Sequence, residues 1–493
     1  MEFQQNPCRF LRTVAREISG EEQTLEVRLP ESMPDIGRVL GAWGQPLIRS
    51  KEWRSGSMSL SGGVMAWVLY APEDGSDPRS VEAWIPFQRS WDFQDSQRDG
   101  ILRMCCNLAA MDARSLSARK MLLRASVSFF AEALEPGQEM LYEAPKLPED
   151  VELLTETYPV TLPKEAGEKS FALDEELELP GELGGGEKLI RYQLQPELTD
   201  QKVMGDKVVF RGSALGHVLL RNREGRLKSW DFEVPFSQYA QLDRDYGPEA
   251  TADPVMAVTN LEMELLEGGR LRLKAGIVSQ YLVYDRDLIR AVLDAYSPNR
   301  EVKPELTMLN LPALLEQTEQ TFPAQRPWEQ ENREPVDLSF LLSQPTVNRE
   351  GEKWTMELSG HFSLLSTGAD GDFQADGCKW EGDREIPAGK DARLYARAQI
   401  SGTPKITAGQ LRCDVRTNLA FTSETQIPMV SALELGGLLP PDPRRPSLIL
   451  RRCNGETLWE LAKHCGTTRK AIQEANHLAA EPDPGKLLLI PVP

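Results

Sequence analysis

Most of the chain shows short alternations of apolar and polar residues, the pattern of β-strands with one buried face. Leucine, valine, isoleucine and aromatic residues dominate these stretches, and Gly, Pro, Asp or Asn bound them, as expected for strands joined by turns. In the first third of the chain the predicted strands cover residues 25–30, 81–87, 101–108 and 120–129.

Two places in this region depart from simple alternation. Pro34 and Asp35 are typical of a helix start, and Ile36, Val39 and Leu40 would then share one side of the helix. The stretch 58–70 is long enough for two strands around Gly62-Gly63.

The strand pattern repeats along the chain. Leu179-Pro180 follows Leu29-Pro30 by 150 positions, and Gly212 follows Gly62 by the same distance. Matching landmarks at a fixed offset indicate a duplicated fold. A weaker third copy covers 356–365, 384–387 and 410–415, and we expect its early half to be lost or replaced.

The sequence therefore predicts a mainly β protein made of tandem modules, two of them clear and one degenerate, followed by a small βααβ module. Pro- and charge-rich stretches suggest the boundaries. We expect a first β module at 1–145, a linker and second β module at 146–300, a Pro/Glu-rich linker at 301–334, a degenerate third module at 335–438, a Pro-rich tether at 439–446 and the βααβ module at 447–493.

The C-terminal module has clear helix signals. Thr457 and Glu460 have the spacing of a capping box, and Gly466 is placed to end the first helix. Thr468 caps a second helix, and Asn476 can adopt the left-handed turn that ends it.

This module closely resembles a LysM module. The matching residues are Gly455-Glu456-Thr457-Leu458-Trp459, Asn476 and the closing segment 484–491, PGKLLLIP. The resemblance implies a LysM fold, in which glycan-binding members grip N-acetylglucosamine with the first loop. Glu456 stands where the usual motif has Asp.

The two clear repeats resemble the SPOCS modules of SipL-type spore morphogenesis proteins of spore-forming Firmicutes. The resemblance rests on VRLPESMPDIGRVLG, ARKMLLRASV, EAGEKSFALDEELELP and VYDRDLI. It implies a mother-cell protein at the forespore surface in sporulation and spore coat assembly, whose LysM module binds the coat-anchoring morphogenetic ATPase.

Composition limits the other possibilities. A chain of 493 residues suggests three or four domains, and its net charge of -19 disfavours nonspecific binding to nucleic acid or anionic lipid. Residues 1–20 lack the apolar core of a signal peptide, and no apolar run has the length of a membrane span. We therefore expect a cytoplasmic protein without membrane insertion.

No group of residues predicts catalysis. The histidines His217, His361, His464 and His477 are scattered, and the seven cysteines show no disulfide or metal-ligand spacing. Glu31 and Asp35 form a carboxylate pair, but acids also stabilise helix N-termini. We expect no enzyme activity, no cofactor and no metal.

A binding surface is the better prediction. Trp459 follows the first core position of its helix, so we expect it to be partly exposed, and it either anchors an interface or covers the edge of a small core. The partner is predicted to be the ATPase; the alternative is peptidoglycan or a chitin-like glycan. The candidate partner-binding residues are Gly455, Glu456, Thr457, Leu458, Trp459, Asn476 and His477.

Overall fold

A computed structural model describes residues 1–93, 98–183, 186–328, 332–351, 353–387, 392–440 and 444–492. Residues 184–185, residues 329–331 of the predicted Pro/Glu-rich linker and residues 441–443 of the predicted tether lie outside the described part. The fold is mainly β, with a small C-terminal region in which two strands flank two helices. The predicted fold class is confirmed.

The strands in chain order are β1 (Gln4–Arg28), β2 (Ile36–Arg54), β3 (Ser57–Pro72), β4 (Arg79–Asp92), β5 (Ile101–Ser117), β6 (Lys120–Glu143), β7 (Glu152–Glu178), β8 (Gly186–Asn222), β9 (Leu227–Tyr246), β10 (Thr251–Leu266), β11 (Arg270–Tyr296), β12 (Arg300–Pro327), β13 (Arg333–Leu342), β14 (Thr346–Glu350), β15 (Lys353–Gly368), β16 (Phe373–Pro387), β17 (Arg393–Thr407), β18 (Gln410–Leu438), β19 (Leu448–Arg452) and β20 (Leu487–Pro491). The helices are α1 (Leu458–Cys465) and α2 (Arg469–Asn476), and a short 3-10 turn spans Gly181–Leu183.

Three units of the same design make up the body of the protein. Unit 1 comprises β1–β6, unit 2 comprises β7–β11 and unit 3 comprises β12–β18. In each unit one antiparallel sheet pairs the first and last strands, in the orders β1-β6-β5, β7-β11-β10 and β12-β18-β17. A second sheet packs against it, formed by β2-β3-β4, by β8-β9 and by β13–β16.

The segment 301–334 is not a linker. Most of it belongs to β12, which pairs with β18 along its length just as β1 pairs with β6. Its Pro and Glu residues obscured the pattern, but Leu309 and Leu311 on this strand are buried. The third unit therefore keeps the early half that the sequence predicted to be lost. Much of the linker expected at the start of 146–300 is also a strand, β7 (Glu152–Glu178).

The predicted helix near residue 35 is also wrong, because Ile36 begins strand β2. The pairing of β2 with β3 shifts register at Ile36/Arg38 and again at Val39/Gly41. Each β-bulge adds a residue to the strand and interrupts the period of two. The buried residues Ile36 and Leu40 therefore acquire a helix-like spacing on an extended chain.

Gly62-Gly63 is not a turn, since β3 runs straight through it. A Cβ at Gly62 would lie 2.2 Å from the carbonyl oxygen of Leu47, so glycine permits the close approach of β2. A Cβ at Gly212 would lie 2.1 Å from the carbonyl oxygen of Glu197, at the equivalent place in unit 2. The repeated glycine thus marks a repeated close contact between strands.

The three units surround a common axis. Phe10, Val160 and Leu309 occupy equivalent positions on β1, β7 and β12, and all three lie in one buried cluster. Because equivalent residues of three units meet at one point, the arrangement has approximate threefold symmetry within a single chain.

A Gln-Pro pair connects each unit to another. Gln45, Gln195 and Gln344 each precede a proline. Oε1 of Gln45 in unit 1 accepts the backbone N–H of Leu194 in unit 2 at 3.0 Å, and Nε2 of Gln195 donates to the carbonyl of Ile400 in unit 3. The backbone N–H of Gln344 in unit 3 donates to Oγ of Ser128 in unit 1 at 2.9 Å, so these contacts run in a ring.

A chain of buried ion pairs also crosses all three units. Arg103 of unit 1 donates to Glu132 at 2.8 Å and to Asp253 of unit 2 at 2.8 Å. Arg397 of unit 3 donates to the other oxygen of Asp253, and Arg16 donates to Glu132. Burial opposes ionisation of both carboxylates, but the arginines outweigh it and lower the pKa of Glu132 and of Asp253.

Units 2 and 3 share a second buried network. Arg191 makes a two-pronged pair with Asp337, at 2.8 and 2.9 Å, and the side chain of Asp337 is fully buried. His217 lies between two carboxylates, with Nε2 2.7 Å from Asp337 and Nδ1 2.6 Å from Asp231. Burial and Arg191 lower the pKa of His217, but the two carboxylates raise it above its ordinary value.

Replacing Asp337 by Asn should destabilise the body by about 3–5 kcal/mol, because Arg191 would keep its charge in a buried site without its counter-charge and His217 would keep only Asp231. Chemical denaturation followed by circular dichroism measures the loss. Asp370→Asn is the matched control, since Asp370 is exposed. Equal stability of the two variants would contradict the importance of the network.

The network should also make stability depend on pH. A group whose pKa is raised by folding adds its full contribution to the free energy of unfolding below its unfolded pKa, which is about 6.5 for histidine. That contribution is lost as the pH rises through the pKa of the folded state. We expect the stability difference between wild type and His217→Gln to be largest near pH 6 and smaller at pH 9. Unfolding free energies at the two pH values measure it, and a difference that grows with pH would contradict this assignment.

Candidate functional site

The C-terminal region folds around strong local signals. Thr457 caps α1 by accepting the N–H of Glu460, and the Glu460 carboxylate accepts the Thr457 N–H, which confirms the capping box. Gly466 ends α1 in the left-handed conformation, and Thr468 caps α2. The two helices pack on the inner face of the two-stranded β19-β20 ribbon through Ile472, Leu488 and Ile490.

Asn476 and His477 differ in role from the prediction. His477, not Asn476, adopts the left-handed conformation after α2. The Asn476 amide instead donates to the carbonyls of Ile472 and Leu489 and accepts the N–H of Leu489 at 2.7 Å. Asn476 therefore fastens α2 to β20, while His477 is exposed.

Trp459 is buried, with only 6% of its surface exposed, so the prediction of partial exposure is wrong. Its ring packs edge-on against Tyr296 of unit 2, with centroids 4.8 Å apart. Its indole N–H donates to Asp294 at 3.2 Å. Trp459 therefore covers the small core of this region and contacts another part of the same chain.

Three further contacts hold this region against unit 2. Lys463 donates to Asp294 at 2.6 Å, and Arg469 donates to Glu152 at 3.1 Å. The hydroxyl of Tyr296 donates to the Thr467 carbonyl at 2.9 Å. The region is thus docked on the body through unit 2.

The remaining candidate residues lie in the loop before α1. Asn454, Gly455 and Thr457 are exposed, and Glu456 pairs with Arg451. Leu458 is buried, but its backbone N–H donates to the Glu481 carboxylate at 2.6 Å. Glu481 belongs to the segment after α2, so this bond joins the two loops that border α1.

An exposed apolar surface covers the outer face of the ribbon. Leu450 pairs with Leu489 across the two strands, and residues opposite each other in a sheet share a face. We call this surface the leucine face; its members are 50%, 63%, 55% and 37% exposed in the order Leu448, Leu450, Leu487 and Leu489. Along the two strands these exposed leucines alternate with Ile449, Leu488 and Ile490, which pack in the core of the region, and this alternation is the sequence signal of the face.

The other polar residues considered from the sequence do not come together. Exposed Asp35 pairs with half-buried Arg119, and strand β2 begins directly after Asp35. His217 lies in the network between units 2 and 3, whereas His464 is exposed on α1.

Within the described residues, no set of three His, Cys, Asp or Glu side chains is arranged to hold a metal ion. No helix in the same residues has the length and apolar character needed to cross a membrane.

The comparison with known families agrees with this geometry. Residues 454–491 match the LysM domain family. The chain therefore carries a C-terminal LysM domain, a class of module associated with binding to peptidoglycan and related glycans. Neither a curated protein nor a solved structure shows significant similarity to the chain.

Replacing Asp294 by Ala should loosen the LysM domain from unit 2, because Trp459 and Lys463 would both lose their acceptor. We expect a cost of about 1–3 kcal/mol to docking, typical of a lost hydrogen-bonded partner. Hydrogen exchange in α1 should accelerate, and small-angle scattering should show a larger radius of gyration. Asp200→Ala, at an exposed position in unit 2, is the control, and identical exchange in both variants would contradict the docking role of Asp294.

Proposed function

We propose that the protein is a noncatalytic scaffold whose LysM domain binds another macromolecule. From the resemblance of units 1 and 2 to SPOCS modules, we further propose that it acts in the mother cell during sporulation. Its partner is then the coat-anchoring morphogenetic ATPase at the forespore surface. The body carries the LysM domain at a defined position, and the domain supplies the contact.

The leucine face carries this proposal. Four neighbouring leucines on a short ribbon form an apolar patch that no described part of the chain covers. Exposed apolar patches of this kind are typical of protein-binding surfaces. The docked side of the LysM domain, with Trp459, already contacts unit 2, so the leucine face is the large apolar surface left for a partner.

Charge at the edge of this patch indicates the kind of partner. Arg452 lies directly opposite Leu487 on the ribbon, and Lys486 precedes Leu487. Both side chains are exposed, and neither pairs with a described acidic residue. We propose that the partner contributes an apolar segment with acidic residues at its edge, because such a segment complements both features.

Glycan binding is a second candidate, favoured by the LysM match itself. The exposed loop 454–457 and the segment containing Glu481 border one end of α1. In this proposal the loop, not the leucine face, contacts N-acetylglucosamine units. The two candidates therefore place the ligand on different surfaces of the domain.

Replacing Leu450 and Leu489 by Glu should weaken binding of the full chain to the ATPase by at least about tenfold, since buried leucines contribute about 1.5–3 kcal/mol each. Affinity is measured by surface plasmon resonance, beside pull-downs with chitin oligomers and peptidoglycan. If the wild-type chain binds glycan but not the ATPase, and the double variant still binds glycan, the protein-binding proposal fails and glycan binding is supported.

The matched control replaces Leu288 and Leu315 by Glu. These leucines are 70% and 54% exposed on the body, far in sequence from the LysM domain. The control adds the same charge and removes the same apolar groups. Equal loss of ATPase binding in both double variants would show a general effect of charge and would contradict a specific leucine face.

A further inference from the structure

A cavity of about 80 Å³ lies where the three units meet, on the side of β1. Arg12 and Arg16 of unit 1 and Arg393 of unit 3 line it, beside Tyr395 and Pro163. The guanidinium carbon of Arg16 lies 3.2 Å from the ring centre of Tyr395, so the ring holds the arginine in place. We call this group of arginines the arginine cradle.

The buried ion pairs next to the cradle carry an excess of positive charge. Arg16, Arg103 and Arg397 share only two carboxylates, those of Glu132 and Asp253. Burial of an uncompensated charge is costly in a low-dielectric interior. Arg16 is the member of the chain that also lines the cavity, so a counter-charge in the cavity would balance it.

The hydrogen-bonding groups of the cradle are incompletely used. Nε and one terminal nitrogen of Arg16, and Nε of Arg12, are buried without a partner among the described residues. Arg12 lies a long 3.9 Å from Glu139, and Arg393 forms no ion pair with a described residue. Glu424 also lines the cavity, and it is exposed.

Arg12 and Arg16 of the cradle have no charged counterparts at the equivalent positions of unit 2. Unit 2 has Leu162 and Ala166 at the positions of Arg12 and Arg16, 150 residues later. Leu162 is fully buried in the shared core. Two charged residues therefore stand where the repeated design provides apolar packing, which argues for a purpose beyond holding the units together.

We propose that the arginine cradle binds an oxyanion of phosphate size. Guanidinium groups present paired N–H donors that match phosphate oxygens, and Thr422 and Ser423 add hydroxyl groups around the same cavity. The site is independent of the LysM domain and of its proposed partner. It takes either free phosphate or a phosphate ester carried by a larger molecule.

Isothermal titration of the full chain with inorganic phosphate, at constant ionic strength set with chloride, tests the site. We expect one phosphate per chain and a rise in melting temperature over the chloride control. Arg12→Gln with Arg393→Gln should weaken binding by roughly tenfold or more for each guanidinium removed, because hydrogen bonds to charged groups contribute about 1.5–3 kcal/mol. Parallel titrations with O-phosphoserine distinguish a phosphate ester from free phosphate as the better ligand.

The matched control replaces Arg211 and Arg223 by Gln, since both are exposed on unit 2 away from the cavity lining. Circular dichroism and unfolding without phosphate show that each variant is folded. Equal weakening in the two double variants would overturn the proposal, because it would show only an effect of net charge. The proposal also fails if neither phosphate nor O-phosphoserine binds the wild-type chain more tightly than chloride does.

Discussion

The body depends on the sharing of Asp253 between two arginines from different units. Arg103 reaches it from unit 1 and Arg397 from unit 3, so one carboxylate of unit 2 joins all three. These charges are buried, and removing the Asp253 carboxylate would take a counter-charge from both arginines. The apolar cluster around Phe10, Val160 and Leu309 supplies nonspecific attraction, whereas the ion pairs fix which surfaces meet.

Local signals in the sequence predicted much of the fold. The strands of units 1 and 2 and the caps at Thr457 and Thr468 follow from residue pattern and hydrogen-bonding chemistry alone. The failures occurred where tertiary contacts decide the outcome: bulges gave β2 a helical spacing, and acidic residues hid strand β12. The Gln-Pro pair at Gln344 was the available sign that the third unit is complete, since it repeats Gln45 and Gln195.

The candidate site was harder to predict than the fold. Capping and helix packing are local, but the burial of Trp459 depends on Tyr296 and Asp294, more than 160 positions earlier in the sequence. The leucine face and the arginine cradle depend in the same way on what lies opposite each side chain. A single sequence shows that a strand is apolar or that two arginines are near each other, but it does not show which face remains uncovered.

The ring of units closes at the beginning of β1, because Glu2 forms a bridge with Ala432 at the end of unit 3. The backbone N–H of Leu433 donates to the Met1 carbonyl at 2.9 Å across the same junction. Units 2 and 3 are joined covalently by only a few residues, from Ser297 to Asn299. The three units of the body therefore have no obligatory first member, since noncovalent contacts close the ring where the covalent chain does not.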